Sequence, residues 1–258
     1  MHIAGNIKKI PQTSGQGEAV MTVRNLYKSF GAHRVLIDFS LAINSGENVV
    51  VLGKSGSGKS VLIKCIIGLL KPDSGTIEVL GESIPELSDE ALDEIRMKIG
   101  FLFQSNALYD SMTVRGNLEF PLRRHSITAT QEEVDELVKS ALEDVKLEHT
   151  IDMMPAELSG GMRKRIALAR TLILKPAIIL YDEPTTGLDP ITSREIIELI
   201  KEVQQKYHSA SLIISHDMNC VRMVADRVVM LIDGKNYKEG TYDELIQSSD
   251  PVIKAFFE

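Results

Sequence analysis

Tryptophan is missing from this 258-residue chain, aromatic residues make up only 5%, and there are just two cysteines. Cys65 and Cys220 stand at no metal-ligand spacing, so neither a disulfide framework nor a thiolate metal site is available to hold the fold. They read as core or near-core thiols of a reducing compartment. Long apolar runs are missing too: no stretch of eighteen uncharged apolar residues occurs, so the chain is not expected to cross a membrane by itself. Met1-His2-Ile3-Ala4-Gly5 lacks the apolar core of a signal peptide, and a cytoplasmic location is expected. Basic charge is also in short supply. Lys+Arg 29 against Asp+Glu 36 leaves a net charge of −7, which argues against a nucleic-acid partner. What is present is 43% hydrophobic, enough for one large domain or two small ones with a proper core.

One stretch dominates the rest. Gly53-Lys54-Ser55-Gly56-Ser57-Gly58-Lys59-Ser60 fits the phosphate-binding pattern G-x-x-x-x-G-K-[ST] at every fixed position. Residues 47–52 before it form a β-branched run that reads as a buried strand, and residues 61–70 after it suit about three turns of helix. Glycines in such a loop let backbone N–H groups turn inward around an anion, and the helix start adds its dipole at the same point. Lys59 is placed to reach the β- and γ-phosphates, and the Ser60 hydroxyl to ligate Mg²⁺. A chance Gly-rich turn of this form arises in roughly one chain in a hundred at average glycine usage, and the flanking strand and helix lower that further. The chain is therefore expected to bind a nucleoside triphosphate.

The flanking sequence alternates strand and helix patterns, which predicts a mostly parallel α/β sheet. Strands are expected at 19–23, 35–43, 76–80, 99–103, 177–181 and 211–214. Residues 88–98 run from acidic to basic, as a helix dipole prefers. Residues 104–146 are mostly helical in period, with Thr130 suited to cap a helix over 131–145. This block reads as the start of a helical subdomain, about 104–175, inserted into the nucleotide-binding core. Asp189 suits the N-cap and Pro190 the first turn of the helix that follows. Residues 1–18 read as a mobile leader. The tail, 246–258, ends in Phe256 and Phe257, which should pack on something, in this reading a partner. No internal repeat is present.

Three further groups carry chemistry. Ile178-Ile179-Leu180-Tyr181-Asp182-Glu183 is an apolar strand ending in two carboxylates. Asp182 suits the acid that holds Mg²⁺ in a phosphate-loop enzyme, and Glu183 can accept a hydrogen bond from a water in line with the γ-phosphate. By themselves the pair could equally be solvated acids at a strand end. Leu158-Ser159-Gly160-Gly161-Met162 leaves a second helix start open to an anion, or is a plain turn with Ser159 as cap. Two phosphate-grade helix starts with one phosphate loop suggest that the second serves a nucleotide bound by another copy. The basic run Arg163, Lys164, Arg165 reads as a solvated helix face.

Taken together, residues 19–245 resemble the ATP-binding cassette (ABC) ATPases: a phosphate-loop fold with a mostly parallel core sheet, an antiparallel β subdomain and an inserted helical subdomain. Residues 53–60, with Val61, match the Walker A motif, and Tyr181-Asp182-Glu183 the end of Walker B. Leu158 to Met162 match the family signature, Gln104 the Q-loop glutamine, Gly187-Leu188-Asp189 the D-loop, and His216 the switch histidine. Phe30 stands at the adenine-stacking position. The resemblance implies ATP hydrolysis by a head-to-tail dimer, with ATP between Walker A of one copy and Ser159, Gly160 and Gly161 of the other. It counts Asp189 among the nucleotide-contacting residues, makes Gln104 a catalytic residue and a further Mg²⁺ ligand beside Ser60 and Asp182, has Lys59 and Mg²⁺ neutralise the phosphates, and has His216 hold the γ-phosphate and orient the attacking water with Glu183.

Met162 replaces the usual glutamine of the signature, so a side-chain contact near the ribose is expected to be lost. The segments 102–109 and 114–123 resemble those of ATPases of MCE-type (Mla-type) phospholipid transporters. That likeness implies an integral permease (MlaE-like), an MCE substrate-binding protein (MlaD-like) and a small STAS-type regulatory subunit (MlaB-like), at the cytoplasmic face of the inner membrane. Its rivals are the ATPase of a polar-solute importer and a soluble cassette ATPase acting on a non-membrane assembly. Gly116, in an expected helix where glycine costs about 1 kcal/mol against alanine, has no reason in the sequence.

Overall fold

The computed structural model describes residues 17–125 and 130–257. The expected leader therefore lies, apart from residues 17 and 18, outside the described residues. The chain opens with a long hairpin of β1 (Ala19–Phe30) and β2 (His33–Asn44), then β3 (Asn48–Leu52), α1 (Lys59–Ile66), β4 (Ser74–Val79) and the short β5 (Glu82–Ser83). Next come α2 (Asp89–Met97), β6 (Ile99–Leu102), and the helices α3 (Val114–Arg124), α4 (Gln131–Asp144) and α5 (Gly160–Leu172). Then β7 (Ile178–Asp182), α6 (Pro190–Tyr207), β8 (Ala210–Ser215), α7 (Met218–Val224) and β9 (Arg227–Ile232) follow. The chain closes with β10 (Lys235–Gly240), α8 (Tyr242–Ile246) and α9 (Pro251–Lys254).

Two sheets result. One is four-stranded and antiparallel in the order β2-β1-β4-β5; the other is six-stranded in the order β10-β9-β3-β8-β7-β6. Within the larger sheet β9, β3, β8, β7 and β6 are parallel, and β10 closes the edge antiparallel to β9. The mixed architecture is the one expected. Strand periodicity of two splits the apolar residues between two cores. Val50, Leu52, Ile179, Tyr181 and Ile213 face the core shared with α3 to α7. Val49, Val51, Ile178, Leu180, Leu212 and Ile214 face the core shared with the hairpin, α1 and α2. With both faces covered, β3 and β8 are buried end to end, which is why they read as continuous apolar runs.

Local chemistry explains where elements begin and bend. Thr130 and Glu133 form a reciprocal capping box on α4, worth about 1 kcal/mol for the cap alone. Asp189 accepts from the backbone N–H groups of Ile191 and Thr192 at the head of α6. β1 runs well past residue 23, where the expected strand stopped, because a bulge interrupts its alternation. At that bulge Asn25 and Asp38 both take left-handed backbone, and Asn25 Nδ2 donates to Asp38 Oδ1 at 2.8 Å. Gly75 lets β4 close on it: a Cβ there would sit 2.4 Å from the Asn25 carbonyl oxygen. Gly116 also finds its reason. It is in the first turn of α3, where its N–H donates to the Thr113 cap, and a Cβ would lie 3.1 Å from Met112 Cβ.

The cover expected for the tail comes from the chain itself. Phe256 and Phe257 pack against the helical core, with the Phe257 ring edge-on to Tyr242 at 5.5 Å and Lys54 Nζ 5.7 Å from the Phe256 centroid.

Candidate functional site

The parallel strands decide where the chemistry gathers. Leu52 pairs with Ser215, Asp182 with Ile214, and Leu102 with Tyr181, so β3, β6, β7 and β8 all finish at one edge of the sheet. The segments leaving those four ends carry the phosphate loop, Gln104, Asp182 with Glu183, and His216. Carboxyl ends of parallel strands are where open α/β sheets take ligands.

The phosphate loop has the backbone that anion binding needs. Gly56 and Gly58 have φ of 80° and 105°, outside the range comfortable for side chains. Gly58 is also tight against the hairpin, with Val35 Cγ1 3.0 Å from the place of a Cβ. Lys59 is buried, and its ammonium donates to the Gly53 and Lys54 carbonyls at 2.7 and 3.1 Å. Burial lowers its pKa, while the charges of Glu183 and Asp182 act in the opposite direction. Ser60 is exposed at the first turn of α1, and Phe30, 49% exposed, has Lys28 Nζ 5.6 Å from its ring.

Glu183 sits at the focus. Its carboxylate lies 3.9 Å from Lys59 Nζ and 2.8 Å from His216 Nδ1, and it accepts from Thr186 Oγ1 at 3.3 Å. Its N–H donates to the Ile214 carbonyl at 2.9 Å. With φ of 50° Glu183 occupies left-handed backbone, a strain that this set of contacts sustains and that functional positions often carry. An ionised Glu183 requires the proton of His216 on Nδ1, leaving Nε2 as the free acceptor of a mostly exposed ring. Burial raises the pKa of Asp182, and the like charge of Glu183 adds to it; Lys59 and Lys164 oppose the rise. A cation beside Asp182 would relieve that cost. Ser60, Gln104 and Asp182 carry hydroxyl, amide and carboxylate oxygens, the hard donor type that Mg²⁺ takes.

The ABC transporter family profile matches residues 36–186. The chain belongs to that family. It is similar to the probable ribonucleotide transport ATP-binding protein mkl of Mycobacterium leprae, 42% identical over 234 residues, covering 91% of this chain and 67% of that protein. It is also similar to the intermembrane phospholipid transport system ATP-binding protein MlaF of Haemophilus influenzae, 37% identical over 237 residues, covering 92% and 89%. Among solved structures, a dimeric post-hydrolysis ATP-binding cassette bound to ADP and Pi superposes with TM-score 0.78 at 33% identity, covering 86% of this chain and 98% of that one. As an ABC ATPase domain, the chain is an ATP-binding, ATP-hydrolysing subunit of a transporter. None of the helices of the described residues is long and apolar enough to cross a membrane.

The segment that resembles the ABC signature, Leu158 to Met162, is fastened locally. Ser159 caps α5 through Met162 N–H at 3.2 Å, and Ser159 and Gly160 are exposed. Among the described residues no hydrogen bond joins them to the phosphate loop. Gly161 lies against the first turn of α6: a Cβ there would come 2.5 Å from Thr192 Cγ2, and Thr192 Oγ1 in turn donates to Asp189 at 2.5 Å. Those bonds from Thr192, and the Ile191 N–H, hold the Asp189 carboxyl below its usual range.

Three residues near the ABC site escaped the sequence. Thr185, buried, donates to Asp217 Oδ2 at 3.0 Å and so ties the segment after Glu183 to the loop carrying His216. Ser215 Oγ accepts the Asp217 N–H at 3.0 Å. Lys164 is only 2% exposed, which overturns the solvated-face expectation for residues 163–165. Its neighbours are engaged as well: Arg163 donates to the Leu158 carbonyl and Arg165 pairs with Glu195. An amphipathic pattern could have flagged Lys164, since it shares a helical face with the buried Leu168 four residues on.

Proposed function

We propose that two copies of this ABC ATPase close head to tail on two ATP molecules and thereby energise an integral membrane permease that moves phospholipid. The pairing is supported by the likeness to a dimeric ATP-binding cassette, and by the lack, among the described residues, of any hydrogen bond between the signature segment and the phosphate loop, since a second copy can bring Ser159, Gly160 and Gly161 to the γ-phosphate. In this reading residues 53–61 cradle the triphosphate through backbone N–H groups, Lys59 meets the β- and γ-phosphates, and Phe30 stacks on adenine. Asp189 shapes the interface between copies. Ser60, Asp182 and Gln104 hold Mg²⁺, which when bound neutralises phosphate charge. Glu183 takes the proton of the attacking water, and His216, fixed by its bond to Glu183, accepts from that water through Nε2 and so orients it. Positioning and charge stabilisation supply most of the rate.

The phospholipid cargo rests on the likeness to MlaF over nearly the whole of that protein, together with the segments 102–109 and 114–123. It carries with it a cytoplasmic position against the inner membrane, an MlaE-like permease, an MlaD-like MCE protein and an MlaB-like STAS subunit. The likeness to mkl supports a second reading, a polar-solute transporter with the same hydrolytic site. A mild-detergent pull-down from native membranes, with proteins and lipids identified by mass spectrometry, separates them. Recovery of a permease, an MCE protein and phospholipid is the expected result. A polar-solute permease in their place overturns the cargo, and soluble partners alone overturn the transport role proposed here.

A further inference from the structure

Residues 103–109, the segment carrying Gln104, lie between β6 and α3 with no helix or strand of their own. Such a loop would be loose if its backbone faced only water. Instead, two basic side chains of α5 hold four of its carbonyls. Lys164 Nζ donates to the Phe103 and Gln104 oxygens at 3.3 and 3.0 Å. Arg170 donates to the Ala107 and Asn106 oxygens at 2.7 and 3.2 Å. Beyond them Asn117, wholly buried, accepts the Tyr109 N–H at 2.8 Å and donates to its carbonyl at 3.0 Å.

Two features show that this grip has a cost. Asn106 and Ala107 have φ of 65° and 51°, consecutive left-handed residues that carry side chains, a conformation that persists only when neighbours impose it. Lys164 buries an ammonium in the helical layer, where an apolar residue would pack without desolvating a charge. Neither is needed to build α5, whose core face is already supplied by Ile166, Ala167, Leu168 and Ala169.

We propose that Lys164 and Arg170 are positioning residues that fasten the Gln104 loop to the signature helix. The clamp sets where Gln104 meets the nucleotide site of its own copy, while Ser159 at the head of the same helix faces the nucleotide held by the other. This rests on Gln104 being part of the Mg²⁺ site.

The test uses the full chain carrying Lys164→Met, Lys164→Arg, Arg170→Gln or Gln104→Ala. Two quantities are read: amide hydrogen exchange over residues 103–110, and ATPase rate against free Mg²⁺ at saturating ATP. The clamp predicts faster exchange in that segment for K164M and R170Q, with α5 core amides unchanged. It also predicts a rise of about tenfold in half-saturating Mg²⁺, the scale seen when a partner that orients a metal ligand is removed, with K164R restoring most of it. Should K164M fail to fold, R170Q at the more exposed end of the clamp carries the test. Unchanged exchange in R170Q and in folded K164M overturns the clamp. Faster exchange with unchanged Mg²⁺ dependence overturns the positioning role; if Gln104→Ala is then also silent, the assignment of Gln104 is what failed.

Discussion

Glu183→Gln isolates the proton-accepting role from everything else that Glu183 does. Glutamine has the same shape, its amide oxygen can still accept from His216 Nδ1 and Thr186 Oγ1, and the left-handed backbone at φ 50° is no harder for it. What disappears is one negative charge, 3.9 Å from Lys59 Nζ and adjacent to Asp182. The lost attraction to Lys59 amounts to about 4 kcal/mol before desolvation is counted, at the effective dielectric typical of protein sites. Relief of the like charge beside Asp182 and of the buried carboxylate opposes it, so the fold should hold. For catalysis there is no such offset: a positioned general base contributes about 10²–10⁴-fold. At 1.36 kcal/mol per tenfold, that is about 3–5 kcal/mol of barrier. ATP affinity should be unchanged or higher, because the Lys59 ammonium no longer shares itself with a carboxylate. Single-turnover hydrolysis, nucleotide binding by fluorescence and ATP-dependent dimerisation by light scattering together give the answer. Turnover retained within tenfold of wild type would contradict the base assignment, since it lies below the general-base range. Loss of ATP binding would show that the substitution had damaged the phosphate loop instead.

Tyr181 buries its hydroxyl in the helical core with no hydrogen-bond partner among the described residues, so Tyr181→Phe should leave stability unchanged or raise it by about 1 kcal/mol in urea unfolding; a clear loss refutes this. Gly161→Ala should place a Cβ 2.5 Å from Thr192 Cγ2, disturbing the Asp189 cap at an overpacking cost of about 1–3 kcal/mol, read as a lowered thermal midpoint. Adding Thr192→Ser removes the clashing methyl, keeps the hydroxyl, and should restore most of the loss. Burial pushes the thiols of Cys65 and Cys220 up to about 11 and about 12, so an aromatic disulfide reagent at pH 8 should modify neither in the folded chain and both in denaturant. Because the unfolded thiols ionise first, their contribution to stability is complete below about pH 9 and declines as pH rises toward the folded values. Rapid labelling of either thiol in the native chain refutes the burial argument.

The parts of this protein legible in the sequence were those whose physics is local. The phosphate loop needs its glycines at fixed spacing for backbone geometry, and Asp189 with Pro190, or Thr130 alone, announce helix starts through hydrogen bonds within four residues. Strands buried on both faces, such as Ile178–Asp182, declare themselves by unbroken apolar runs. The bulge at Asn25 hid half of β1 because one extra residue reverses the in–out alternation on which a strand is recognised. Gly116 made sense only once Met112 was seen beside it. Tertiary structure alone decided which strand ends converge, since the order β10-β9-β3-β8-β7-β6 joins residues more than a hundred positions apart. It put His216 Nδ1 2.8 Å and Lys59 Nζ 3.9 Å from the Glu183 carboxylate, distances that the family resemblance could not supply. It also turned Lys164 from one of three surface-like charges into a buried clamp, because its hydrogen-bond partners, the Phe103 and Gln104 carbonyls, stand some sixty positions away. A side chain's neighbours across such distances are set by how the layers pack, and no short window of sequence contains them.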